Sequence, residues 1–134
     1  MVRMPGHAAK QLTGLRNGLL RLHKCLLDSV RAAYERDVER IASSSQYLDL
    51  VLNDPWFAWL RELSQFIVLV DETLDFEKPP AAEDAARLIR QARALVAPAE
   101  NGDGFRRQYY DAIQRDPAVV LAHRDMMRVF GEIA

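Results

Sequence analysis

The chain has 134 residues, of which 49% are hydrophobic and 28% charged, and its formal net charge is −1 at pH 7. This composition excludes a disordered chain and predicts one globular domain over residues 1–134, with a core that needs no disulfide or metal. The balanced charge argues against a nucleic-acid partner. No apolar run approaches the roughly 20 residues of a membrane span, so no membrane partner is expected.

The cysteine content and the first residues bear on the compartment. Cys25 is the single cysteine, which excludes an internal disulfide framework and is typical of a reducing environment. The opening residues, MVRMPGHAAKQ, lack the apolar core of a secretory signal. We therefore expect a cytoplasmic location. Residues 1–6 are expected to be frayed, since Pro5-Gly6 interrupts regular structure.

A long first helix is predicted from about residue 7 to about residue 40. Its inward residues follow heptad spacing, namely Leu12, Leu15, Leu19, Leu22, Leu26, Ser29 and Ala33. Gly14 and Gly18 lie four residues apart on it, and they either weaken its first turns or admit a close neighbour. Among the charged side chains of residues 1–31, six are basic and only Asp28 is acidic. Residues 49–77, in contrast, carry seven acidic side chains and one basic side chain, Arg61. The first helix is therefore expected to lie against the segment at 54–75.

The segment at 54–75 is predicted to be the central helix of the bundle. Asp54 is a suitable N-cap and Pro55 a suitable first helical residue. One face carries recurring apolar side chains, namely Trp56, Leu60, Leu63, Ile67, Val70 and Leu74. Phe57, Val68 and Leu69 fall outside this face, which indicates a helix covered on more than one side. The tryptophans are interpreted as core residues, with a ligand slot walled by indoles as the alternative.

The remaining pattern predicts helices at about 82–97 and 117–133, with short helices after Ser43 and from Phe105. The second Asp-Pro pair, Asp116-Pro117, marks the start of the last helix. Together these elements predict an all-α fold. Its four-helix-bundle core is formed by the helices at about 7–40, 55–75, 82–97 and 117–133.

Two histidines are the strongest candidates for chemistry. On helical spacing, both His23 and His123 fall inside apolar stripes. We interpret each as a neutral core histidine bonded to a carbonyl, a tyrosine hydroxyl or a carboxylate such as Asp71. The alternative is that they share a cavity and hold haem or a transition metal, with Met126 or Met127 nearby. The four carboxylates and the Glu-x-x-His pairs of a di-iron bundle are absent, and we expect no cofactor.

Cys25 and a group of arginines are weaker candidates. Lys24 stands beside Cys25, but no histidine at helical spacing pairs with the thiol, so no catalytic residue is assigned. The basic group comprises Arg87, Arg90, Arg93, Arg106 and Arg107. It is interpreted as a solvated face paired with nearby acids, and binding of an anion or a nucleic-acid backbone is the alternative.

Four stretches carry a resemblance to a known family. They are LLRLHKCLLDSVRAAYER, LNDPWFAWLRELSQFIVLVDE, GDGFRRQYYDAIQRDP and AVVLAHRDM, and together they span most of the chain. In these stretches the sequence resembles a family of small bacterial all-helical proteins with no assigned activity. The resemblance implies a bacterial, cytoplasmic helical protein, and it implies no substrate or cofactor.

These observations favour a non-enzymatic helical module that self-associates or binds a protein partner. The predicted interface consists of Phe57, Val68 and Leu69, because these apolar residues lie outside the main apolar stripe. The alternative function is a haem- or metal-binding bundle that uses His23, His123 and Met127.

Overall fold

The computed structural model describes residues 6–75 and 77–134, and these residues fold into an all-α structure. The helices are α1 (His7–Asp37), α2 (Ser44–Asn53), α3 (Pro55–Ala58), α4 (Arg61–Asp75), α5 (Ala82–Leu95), α6 (Gly104–Arg115) and α7 (Pro117–Ile133). The predicted all-α fold with a bundle-like core is confirmed. Residues 1–5 of the segment expected to be frayed lie outside the described residues.

The first helix, α1, forms the centre of the bundle. Helices α3, α4, α5 and α7 all pack against it. Its heptad leucines are almost completely buried, namely Leu12, Leu15, Leu19, Leu22 and Leu26. Each such leucine contributes about 1.5–3 kcal/mol of hydrophobic stabilisation. The central position predicted for residues 54–75 therefore belongs to α1, because only α1 is long enough to contact so many helices.

Helix α1 ends at Asp37, three residues earlier than predicted. The N–H groups of Val38 and Glu39 both bond to the carbonyl of Tyr34, at 2.8 and 3.3 Å, which closes the last turn. The chain then returns Ile41 to the core. The N–H of Ile41 donates to Glu35 at 3.2 Å, and this bond lowers the pKa of the Glu35 carboxyl. The chain thus turns back toward the core directly after the end of α1.

The segment at 54–75 forms two helices instead of one. Asp54 caps α3 as predicted, and its carboxylate accepts from the N–H of Trp56 at 2.8 Å. Leu60 then bonds to the carbonyl of Phe57, three residues back, at 3.1 Å. This tighter turn rotates α3 relative to α4. Consequently Phe57 is 1% exposed, whereas Trp56, predicted to point inward, is 38% exposed.

The predicted pairing of a basic first helix with an acidic neighbour is present between α1 and α4. Arg16 of α1 lies 3.4 Å from the carboxylate of Asp71 on α4. Both side chains are about a third exposed, so this ion pair contributes less than about 1 kcal/mol and mainly favours one register.

The C-terminal half of the chain covers the other side of α1. Helix α7 begins at Pro117 as predicted, and its N-cap Asp116 accepts from the N–H of Ala118 at 2.9 Å. Helix α6 contributes Phe105, Tyr109 and Ala112 to the core. The sequence predicts a short helix with Phe105, Tyr109, Ala112 and Ile113 inward, and the first three are buried while Ile113 is partly exposed.

Candidate functional site

Helices α6 and α7 bring one of the predicted histidines onto a buried tyrosine. The hydroxyl of Tyr109 lies 2.6 Å from Nδ1 of His123. Burial, and secondarily the Cys25 thiolate when it is charged, raises the pKa of Tyr109, so its hydroxyl keeps its proton. The neutral hydroxyl donates to Nδ1 or accepts from it, according to the tautomer of the imidazole. His123 thus has the tyrosine partner that was one of the three predicted possibilities.

The other histidine, His23, is half-buried on α1, between the heptad leucines and the exposed face. Burial lowers the pKa of His23, as it does for His123. Both imidazoles are therefore neutral at pH 7. Both are only partly buried, so they lie at the margin of the core and not inside it.

The lowered pKa values make stability depend on pH in one direction. Below the usual histidine pKa of 6.5, the unfolded chain binds more protons than the folded chain. The free energy of unfolding is therefore expected to fall as the pH drops through this value, and to level off below the folded-state pKa. The variant His23→Gln removes one of the two groups, so its stability should fall less between about pH 7.5 and about pH 5.

Urea unfolding of both proteins at the two pH values measures this difference. Carboxyl groups titrate equally in both proteins, so they cancel in the comparison. An identical loss in wild type and variant would show that His23 does not oppose protonation in the folded state.

The haem or metal alternative required His23, His123 and Met127 to converge. Nδ1 of His123 is occupied by Tyr109, and Met127 is exposed while its neighbour Met126 is buried. Within residues 6–75 and 77–134, no group of three or more histidine, cysteine, aspartate or glutamate side chains is placed to hold a metal ion.

Cys25 lies beside the start of α7, where its Sγ is 3.5 Å from the carbonyl oxygen of Ala118. Burial raises the pKa of the thiol, and the carboxylates of Asp116 and Asp28 raise it further against a smaller opposite effect of Lys24. The thiol stays protonated at neutral pH, so it is a poor nucleophile.

Most of the arginine group makes contacts inside the chain. Arg87 pairs with Asp84 and Arg107 with Asp111, each at 3.2 Å. Arg106 donates to the carbonyl of Ala97 at 2.8 Å. The guanidinium carbon of Arg93 lies over the ring of Phe130, 4.8 Å from its centroid. The contacts of Arg87 and Arg107 match the predicted pairing with nearby acids. The bond from Arg106 to Ala97 links α6 to the segment that follows α5.

The exposed side of α4 combines apolar and charged side chains. Val68 is 52% exposed and Leu69 43% exposed, so both lie on the surface as the predicted interface requires. Phe57, the third residue of that interface, is buried against Tyr34 and Tyr47, with ring centroids 6.0 and 5.9 Å apart. The assignment of Phe57 to an exposed interface is therefore wrong, because the turn at Leu60 directs its ring inward.

Two charged residues complete this surface, and neither is among the interface residues predicted from sequence. Arg61 and Glu72 are exposed and eleven residues apart, which is three helical turns, so they flank Val68 on one face of α4. Among the described residues, neither makes an ion pair within the chain. Their opposite charges, three helical turns apart on the face that carries Val68, were visible in the sequence. We call Arg61, Gln65, Val68, Leu69 and Glu72 the α4 surface.

The fold and this surface define a small helical-bundle domain with an exposed amphipathic helix. No protein-family model, no curated protein and no solved structure matches the chain. The likeness to a bacterial family therefore stays a prediction from sequence. No helix within the described residues is long and apolar enough to cross a membrane.

Proposed function

We propose that the protein is a non-enzymatic helical module that associates with a second copy of itself through the α4 surface. The observation that carries the proposal is the charge order along α4: Arg61 at one end, Glu72 at the other, and exposed Val68 and Leu69 between them. A helix face with opposite charges at its two ends is complementary to the same face turned end over end.

This complementarity selects one arrangement of the two chains. In an antiparallel pair with a two-fold axis near residues 66–67, Arg61 of each chain lies opposite Glu72 of the other. The two Val68 side chains then meet beside the axis. A parallel pair would place Arg61 against Arg61 and Glu72 against Glu72, so repulsion disfavours it.

The apolar side chains supply the attraction in this pair, and the charges set its orientation. Each exposed ion pair contributes no more than about 1 kcal/mol. Further apolar surface lies at the Arg61 end, where its guanidinium donates to the carbonyl of Leu52 at 3.0 Å. Leu52 and Leu48 of α2 are both exposed. They extend the surface toward the roughly 800 Å² per chain that stable dimers bury.

Charge reversal tests the proposal in sedimentation equilibrium. Because of the two-fold axis, Arg61→Glu turns two attractive contacts into two repulsive ones, and so does Glu72→Arg. Each single variant should weaken self-association about tenfold or more. The double variant Arg61→Glu, Glu72→Arg exchanges the charges and should restore association. Binding to an unrelated protein partner would not be restored in this way.

The matched control is Arg90→Glu, which reverses an exposed charge on α5. Its self-association should equal that of the wild type. The proposal fails if the wild type sediments as a monomer at every concentration, or if the double variant associates as weakly as the single variants.

A further inference from the structure

A second site lies away from the α4 surface, between the C-terminal part of α1, α3 and α6. There a cavity of about 410 Å³ opens to solvent, within the size range of small-molecule sites. Both tryptophans of the chain, Trp56 and Trp59, line it. Val30 and Ala33 of α1 add apolar surface. We call it the indole cavity.

Buried aromatic rings hold the two indoles in place. Trp56 meets the ring of Tyr34 edge-on, at 5.8 Å between centroids and an interplanar angle of 88°. Trp59 packs on Phe105, with 5.4 Å between the ring centroids. Tyr34 and Phe105 are themselves buried. The walls of the cavity are therefore preorganised, which lowers the entropic cost of binding a flat molecule against them.

The charges of the cavity favour an anion. Two guanidinium groups, those of Arg36 and Arg115, line it together with the carboxylate of Asp37. Arg36 and Asp37 form an ion pair at 3.3 Å, so their charges offset each other. Arg115 makes no ion pair among the described residues. One uncompensated guanidinium next to apolar walls is suited to a carboxylate, which it can bind through two parallel hydrogen bonds.

We propose that the indole cavity binds a small aromatic carboxylate, with its ring against Trp56 and Trp59 and its carboxylate on Arg115. The site is separate from self-association, since none of its lining residues belongs to the α4 surface. Ligand binding and dimer formation can therefore be tested independently.

The test uses naphthoate, with the uncharged naphthamide as its matched analogue. Occupancy is followed by the two indole N–H signals in a proton–nitrogen correlation spectrum, assigned with Trp56→Phe, and affinity by calorimetry. Naphthoate should shift both signals to saturation. Naphthamide should bind at least about tenfold more weakly, because it cannot form the charge-assisted bonds to Arg115.

The variant Arg115→Gln should lower naphthoate affinity about tenfold and leave naphthamide affinity unchanged. The control Arg124→Gln, an exposed arginine of α7 outside the cavity, should change neither. The proposal is overturned if naphthoate shifts neither indole signal, if the amide binds as tightly as the acid, or if Arg115→Gln has no effect.

Discussion

Replacing Phe57 by alanine should destabilise the protein by about 3–5 kcal/mol, the cost of emptying a buried phenylalanine site. Phe57 is 1% exposed and its ring contacts those of Tyr34 and Tyr47. These contacts connect α1, α2 and α3, so the space left by the ring cannot collapse without moving a helix. Urea unfolding followed by far-UV circular dichroism measures the loss.

The adjacent Trp56 provides the control, because it is larger but 38% exposed. Trp56→Ala removes its edge-on contact with Tyr34 and the buried part of its ring, and it should cost about 2 kcal/mol, less than Phe57→Ala. Both variants must be measured at one protein concentration, since self-association adds to stability. If Trp56→Ala costs more than Phe57→Ala, the rotation of α3 at Leu60 is wrong and the sequence-based orientation is right.

Replacing Gly18 by valine should destabilise the protein by about 1–3 kcal/mol, through overpacking between α1 and α7. A Cβ at Gly18 would lie 3.2 Å from both Met126 and Val129. The Met126 side chain can adjust, but Val129 is stiff at χ1 and sits on the opposing helix. The two branches of valine would therefore force the helices apart.

Gly131→Ala is the matched control on α7. A Cβ there meets nothing within 4 Å, so the variant should be more stable than the wild type by up to about 1 kcal/mol. Opposite signs for the two variants would show that packing, and not helix propensity, decides at Gly18. A stabilised Gly18→Val would mean that α7 does not approach α1 closely.

The sequence predicts the helices well where local chemistry marks their ends. Asp54 and Asp116 each cap a helix that begins with proline, as their order in the chain indicates. The heptad leucines of α1 are buried because an apolar stripe of that length is stable only when other helices cover it. For the caps the decisive interactions lie within one turn of the residue concerned, whereas the leucines are buried by packing against other helices.

The orientation of Phe57 could not be predicted, because it depends on one tight hydrogen bond between Leu60 and Phe57. A change of winding at that point alters which side chains face inward, and periodicity assumes constant winding. The glycines pose a similar problem. At Gly14 and Gly18 the helix α7 approaches α1 closely, which is one of the two alternatives predicted from sequence. The sequence of α1 alone could not decide between these alternatives, because the answer depends on the position of α7.

In the candidate sites, too, the sequence predicts the kinds of residue involved, whereas tertiary packing decides which of them meet. A tyrosine hydroxyl is one of the three kinds of hydrogen-bond partner that the sequence predicts for His123. That this tyrosine is Tyr109 depends on how α6 packs against α7, which the sequence does not indicate. Val68 and Leu69 are surface residues as predicted. The charges of Arg61 and Glu72 are visible in the sequence, but apolar periodicity alone does not indicate that they belong to the same face as Val68.

The most direct measurement of the proposed association is sedimentation equilibrium on an equal mixture of the Arg61→Glu and Glu72→Arg variants. An antiparallel two-fold pair places glutamate opposite arginine at both contacts of the mixed dimer. The mixture should therefore form dimers at a concentration where each variant alone is monomeric. A mixture that sediments as monomers, under conditions where the wild type is dimeric, would contradict self-association through the α4 surface.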